Sequence, residues 1–246
     1  MKPIDIVFRI ELPGYDFGKV EFDKTSPEYK NITVEYEPEG HGVHHILVRK
    51  LAKDTHPKSL RPLVDEAMNE AIAFAYAFAA AAELKFEGYS CLGYRMNGQL
   101  HSLESLKLTN SASMTLTARM MVKVGAPRIA AIKSRLKTPF DLNRLHLFFS
   151  AACIVDRVAR FVSLYTALLH VFDDSQMKVD QALLQIDPTI QQTRRPGKPS
   201  IFETVFTRLR NEFSHKRDNC TMLRTHEEIE ANVDRFEDLA RKILVQ

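Results

Sequence analysis

The chain has 246 residues, 45% hydrophobic and 26% charged, an ordinary globular make-up able to bury a core in one large or two smaller domains. Its formal charge of +3 is too small to announce a nucleic-acid binder from bulk composition. Cys91, Cys153 and Cys220 lie too far apart for zinc spacing or a disulfide framework, which points to a reducing compartment.

Ile4, Ile6, Phe8, Ile10 and Leu12 alternate with Asp5, Val7, Arg9 and Glu11, the mark of a half-buried strand. Acidic residues this early, without a continuous apolar stretch, predict no signal peptide. The most apolar run, Ala71 to Ala82, has 12 residues, short of the roughly 20 that span a bilayer. A cytoplasmic protein without a membrane partner is expected.

After a turn at Gly14–Gly18, Ile32, Val34 and Tyr36 repeat the strand pattern, and Val43 to Leu51 is a third, less regular strand. An alanine-rich helix is predicted from about Pro62 to Lys85, with Gly88 as its stop. Asn97-Gly98 suits a two-residue hairpin turn between strands Tyr89–Met96 and Gln99–Leu108. The clearest strand runs from Met114 to Val124, with Met114 and Met120 on its apolar face and Met121 also expected in the core. Residues 1–125 thus read as an α+β domain, a mostly antiparallel sheet with one helix on its apolar face. The boundary falls between Gly125 and Pro139.

From Thr138 onward the strand period vanishes. Leu142, Leu145, Phe149, Ala152, Val155, Val162 and Leu169 predict one continuous helix of about 30 residues, with Asp156 and Arg160 at the spacing of an intrahelical ion pair. A shorter helix covers Lys178 to Ile186, closed by Pro188, and Thr189–Pro199 reads as a flexible basic loop. Ser200-Ile201-Phe202-Glu203 and Thr225-His226-Glu227-Glu228 fit capping boxes and predict two helix starts. Ile229, Val233, Phe236, Ala240 and Ile243 form the stripe of the final helix. The second half, 138–246, is expected to be an all-helical bundle.

Charge is unevenly spread. Residues 1–50 carry seven Lys/Arg against nine Asp/Glu, whereas residues 188–224 carry eight basic side chains against three acidic ones. Such a region fits a polyanion partner or a solvated helix face. At its centre lies Arg210-Asn211-Glu212-Phe213-Ser214-His215. On a regular helix from Ser200, Phe202, Val205, Phe206, Leu209 and Phe213 cluster toward the core. Thr204, Thr207, Arg208, Asn211, Ser214 and His215 lie opposite, with Arg210 at the edge. Arg210 and His215 are then about 140° apart, so they converge on one anion only if the helix loosens near Ser214 or a second chain contributes. The plain alternative is a helix C-terminus whose His-Lys-Arg cations face the free carbonyls.

The run Glu203 to His215 resembles the signature helix of HEPN-type domains, helical bundles marked by Arg, a polar residue, a short variable stretch and His. Arg160-Phe161-Val162-Ser163-Leu164-Tyr165-Thr166-Ala167-Leu168 resembles their long bundle helix, and the element order matches across 138–246. The whole chain also resembles an accessory protein of methylamine-utilisation operons. Many HEPN proteins are metal-independent endoribonucleases acting as dimers. That resemblance implies His215 as general acid or base for attack of the ribose 2′-OH, since an imidazole titrates near neutrality. It implies Arg210 as the stabiliser of the phosphorane and Asn211 as an orienting group. Arg194, Arg195, Lys198, Arg208, Lys216 and Arg217 would hold RNA by its phosphates. Neither cofactor nor metal is implied, and DNA is not expected. Other HEPN proteins are non-catalytic adaptors, which would make this a homodimer binding a protein partner through its sheet domain. A third reading is a ligand-sensing regulator.

Elsewhere, His41-Gly42-Val43-His44-His45 carries no carboxylate–histidine helix motif, and its last two rings point to opposite strand faces, so exposed strand histidines are expected rather than a metal site. His146 and His170 on the long helix read as packed or hydrogen-bonded residues.

Overall fold

The computed structural model describes residues 1–12, 14–22, 31–36, 43–84, 88–102, 122–215 and 221–245. The chain forms two compact units, Met1–Leu142 and Asn143–Gln246, of α+β character: an antiparallel sheet first, a helical region after it.

In the first unit, β1 (Lys2–Glu11) pairs antiparallel with β5 (Val43–Ala52) and β6 (Gly88–Met96). The full sheet adds β3 (Lys19–Glu21), β4 (Ile32–Tyr36) and β7 (Gln99–Ser102) in the order β3-β4-β5-β1-β6-β7. Ile6, Val48 and Ile32 stand in register across three strands, as do Phe8, Ile46 and Val34, and all six are buried. α1 (Pro57–Ala82) packs on β5 and β1, with Phe74 and Phe78 set edge-on against Phe22 and Phe17. β1, β4 and β5 fall where the alternation predicts them, and the Asn97-Gly98 turn where its residue types place it; β2 (Tyr15–Asp16) lies in the expected Gly14–Gly18 turn and β3 just after it, where no strand is expected.

The helix start does not. α1 begins at Pro57, capped by His56, and Pro62 lies in its second turn, where it forfeits one backbone bond. It stops at Glu83, in the left-handed region with φ 58, and not at Gly88, which opens β6. Of the strand expected over Met114–Val124, only the last part falls among the described residues, as β8 (Val122–Lys123), which pairs parallel with β2 (Tyr15–Asp16); Met114, Met120 and Met121 lie outside them. The expected connector contains α2 (Ala126–Arg135), which belongs to the first unit.

The second unit departs from its prediction in several places. The long helix is two: α3 (Leu142–Ala152) and α4 (Arg157–Val171). Asp156 is the N-cap of α4, its Oδ1 accepting from the Ala159 N–H at 2.6 Å. It makes no pair with Arg160, whose guanidinium bonds the carbonyls of Ile154 and Val155 and reaches Glu237 at 3.1 Å. After α5 (Gln176–Ile186), the expected loop is a hairpin of β9 (Gln192–Arg195) and β10 (Lys198–Thr204), turning at Pro196-Gly197 with Gly197 at φ +70.

β10 also displaces the helix start from Ser200. α6 spans Val205–Ser214 with Thr204 as N-cap. Glu203 cannot close a capping box because its carboxylate is turned inward, 2% exposed, and bonded to Asn211. α7 (Met222–Leu244) starts at Thr221, one turn before Thr225, whose hydroxyl bonds back to the Thr221 carbonyl. Phe236 of α7 centres the core, its ring 4.8 Å from Phe161 and 4.9 Å from Phe206. No helix among the described residues is long and apolar enough to cross a membrane.

Candidate functional site around Arg210

The motif stands on a buried polar cluster built from four elements. Asp180 of α5 is its hub. Its Oδ1 accepts from the hydroxyls of Thr204 at 2.5 Å and Thr207 at 2.6 Å, and from the Thr204 N–H at 3.3 Å. Tyr165 of α4 meets Thr207 at 2.6 Å. The Thr207 proton goes to the carboxylate, so the phenol is the donor in that bond. Burial raises the Asp180 carboxyl above the ordinary carboxylate range, against the lowering effect of its donors. Burial likewise pushes the Tyr165 phenol up.

Arg210 lies above this cluster, half-buried. Its guanidinium carbon sits 5.9 Å from the centroid of the Tyr165 ring, a cation–π distance. Its Nη1 donates to Asn211 Oδ1 at 3.1 Å. Asn211 is 2% exposed and its amide is fully used. Nδ2 donates to Glu203 Oε2 at 3.2 Å and Gln176 Oε1 at 3.3 Å, while Oδ1 also accepts from Gln176 Nε2 at 2.9 Å. Asn211 therefore holds Arg210, and does not stand on an outward face with His215.

His215 is different in kind. α6 ends at Ser214, and His215 has extended backbone, φ −139 and ψ 135. Its ring is exposed and makes no side-chain hydrogen bond with the described residues. Its N–H still bonds the Asn211 carbonyl at 2.9 Å, so the helical ladder reaches His215 and the chain leaves the helix only beyond it.

The basic residues divide into three sets. Arg194, Arg195 and Lys198 lie on the β9–β10 hairpin, Arg194 and Lys198 exposed. Arg208 is committed inward, its side chain 19% exposed, held by both Glu212 oxygens at 3.0 Å and by Glu228. Burial opposes its charge, and the two carboxylates outweigh that and raise its pKa. Arg208 thus ties α6 to α7 and does not face solvent. Lys216 and Arg217 lie outside the described residues.

Among the described residues no group of three His, Cys, Asp or Glu could hold a metal ion. His41 falls outside them. His44 is buried, contrary to the exposed strand histidine expected: Nε2 accepts from the Phe17 N–H at 3.4 Å, and the ring packs between Phe17 and Tyr36. His146 is exposed beside Ser150 at 3.3 Å, and His170 is exposed.

Sequence reasoning missed Asp180, Gln176 and Glu203 as partners of the motif. Thr204 and Asp180 are 24 positions apart, and Asn211 and Gln176 are 35 apart, so no local pattern joins them. The one available signal was Thr204 three residues before Thr207, the spacing of an N-cap and the amide it satisfies. Compared with protein-family models, curated proteins and solved structures, the chain finds no match in any of the three.

Proposed function

We propose that the second unit is a HEPN-type, metal-independent endoribonuclease acting as a homodimer, with Arg210 and His215 as the groups that act on RNA. The observation that carries this reading is the division of labour within the motif. Arg210 is held by an amide and an aromatic ring that leave its charge unneutralised, while His215 stands past the last helical turn, exposed. A held cation and an exposed imidazole on the same helix suit cleavage through the neighbouring ribose hydroxyl. The imidazole takes the 2′-OH proton, the 2′-oxygen attacks phosphorus to form the 2′,3′-cyclic phosphate, and the imidazolium so formed gives its proton to the departing 5′-oxygen. The guanidinium offsets charge gathering on the phosphorane. Asn211 acts through Arg210 and is a positioning residue. Arg194, Arg195 and Lys198 hold the RNA, and the sheet unit selects the target.

Mixed RNA incubated with the purified protein and a chelator tests this. Cleavage is expected, with His215→Ala and Arg210→Ala each losing about 100-fold or more in rate. Intact RNA, or cleavage indifferent to both changes, refutes it. Mixing the two variants is expected to restore partial activity if a shared dimer site takes one group from each chain.

A second reading, a non-catalytic accessory module that dimerises and binds a protein through its sheet unit, draws on the inward commitment of Asn211 and Arg208. It predicts no cleavage, and a partner interaction retained by the isolated substitutions at Arg210 and His215.

A further inference from the structure

The hairpin before α6 holds an arrangement that neither packing nor capping accounts for. Residues 188–202 contain Arg194, Arg195 and Lys198 and no Asp or Glu. None of the three cations forms an ion pair with a described residue. The next carboxylate, Glu203, is turned into the protein and bonded to Asn211. Phe202 is 54% exposed, whereas Phe148, Phe149, Phe161, Phe206 and Phe236 of the same unit are all fully buried. Phe202 and Arg194 are cross-strand partners, so their side chains share a face, and the guanidinium lies 5.7 Å from the ring centroid.

We infer that the β9–β10 hairpin docks single-stranded RNA, with Phe202 and Arg194 as a stacking platform for an unpaired base and Arg195 and Lys198 on the flanking phosphates; this rests on the ribonuclease reading. The chemistry selects this ligand. An acidic peptide satisfies the three cations but has no use for the ring. A duplex offers phosphates but keeps its bases stacked. A single strand offers both, because every base has a flat face that stacks on an aromatic side chain or a guanidinium plane. The placement is apt: the strand runs from Phe202 through buried Glu203, which fixes Asn211, to Thr204, the cap of the helix that carries Arg210.

The test uses the full chain and a fluorescent 2′-O-methyl oligoribonucleotide of about 12 nucleotides, within the usual range of single-strand sites. Blocking the 2′-OH prevents the proposed cleavage, so binding is read apart from activity. Phe202→Ala is expected to weaken binding roughly 5- to 100-fold, the range for losing one base–aromatic stack. Phe202→Trp keeps the affinity, and Phe202→Leu, which retains apolar area without a flat face, falls with the alanine variant. Lys198→Ala lowers the salt slope by about one counterion. Because Phe202 is exposed, thermal midpoints of all these variants stay at the wild-type value. The inference is overturned if Phe202→Leu binds like wild type, if the duplex binds as tightly as the single strand, or if oligoglutamate competes equally well. Absence of binding to any strand overturns it too. The ribonuclease reading fails separately, when RNA with a free 2′-OH is bound but left uncut.

Discussion

Thr207→Val removes one oxygen and replaces it with a methyl of nearly the same size, and it strikes the cluster beneath Arg210 at its junction. The Thr207 hydroxyl accepts from the Tyr165 phenol at 2.6 Å and donates to Asp180 at 2.6 Å. Valine strands the phenol, a buried donor whose loss of partner costs about 1–3 kcal/mol. It also removes one of three donors from a buried carboxylate, a charge-assisted bond of about 1.5–3 kcal/mol. The amide bond from the Thr207 N–H to Thr204 Oγ1 survives, and little apolar area changes. The expected loss is roughly 3–5 kcal/mol, which in a unit of this size lowers the thermal midpoint by more than about 10 °C. Urea unfolding followed by far-UV dichroism measures it. Thr207→Ser, which keeps the hydroxyl, is the control and costs only about 1 kcal/mol for its methyl group. On a Tyr165→Phe background the valine change costs less, because no phenol remains to be stranded. A valine variant within about 0.5 kcal/mol of wild type, or a serine variant as damaged as valine, refutes the cluster as drawn.

Two further outcomes follow from the same structure. Burial raises the Asp180 carboxyl, so the folded chain holds that proton more tightly than the unfolded chain; this contribution to stability is full below the unfolded value, about 4, and declines as pH rises through the folded one. Asp180→Asn removes that decline, and its urea midpoint relative to wild type is expected to improve from pH about 4 to about 7; a constant difference across that range contradicts the assignment. In the sheet unit, Gly93 has φ +146, and an added Cβ would lie 2.1 Å from the His101 carbonyl oxygen, so Gly93→Ala must part β6 from β7 or strain the backbone. Destabilisation of about 2 kcal/mol or more is expected by urea titration, against little effect of alanine at Gly98, whose added Cβ meets no atom within 4 Å and where only the positive φ is penalised.

Where an apolar face repeats over several residues, alternation or helical stripe located the element. β1, β4, β5, α5 and the core face of α7 are of this kind, because burial of Ile, Val, Leu and Phe is written into local spacing, whereas β2 and β3, of two and three residues, are too short to show a period. The failures share a different cause. Asp156 has an ion-pair spacing and a capping chemistry at once, and only packing of α4 against α7 decides that it caps and that Arg160 turns to Glu237. Ser200 and Glu203 have a capping-box spacing, but pairing of β10 with β9 extends that backbone and passes the cap to Thr204. The face of Thr204, Thr207 and Asn211 was expected outside because polar residues usually are. It is inside because those residues bond one another and Asp180, Gln176 and Glu203. Their partners come from α5 and β10, so hydropathy along the helix cannot register the exchange of water for protein.

A cluster of this kind is a poor choice if stability alone is the requirement. Buried carboxylates carry a desolvation cost, visible in the raised Asp180 carboxyl, and apolar residues of similar volume often serve a core as well or better. What hydroxyls, amides and carboxylates supply, and leucines do not, is direction. Each bond around Thr207 and Asn211 has one orientation, and together they fix the first two turns of α6 against α4, α5 and β10. Arg210 inherits that fixity through Asn211 and the Tyr165 ring, while His215, beyond the last turn, inherits none. The contrast bears directly on the two functional readings. A dimerising adaptor needs the surface of α6 but has no use for one guanidinium held in one place. A ribonuclease needs a cation aimed before substrate arrives and an imidazole free to approach two different oxygens in turn.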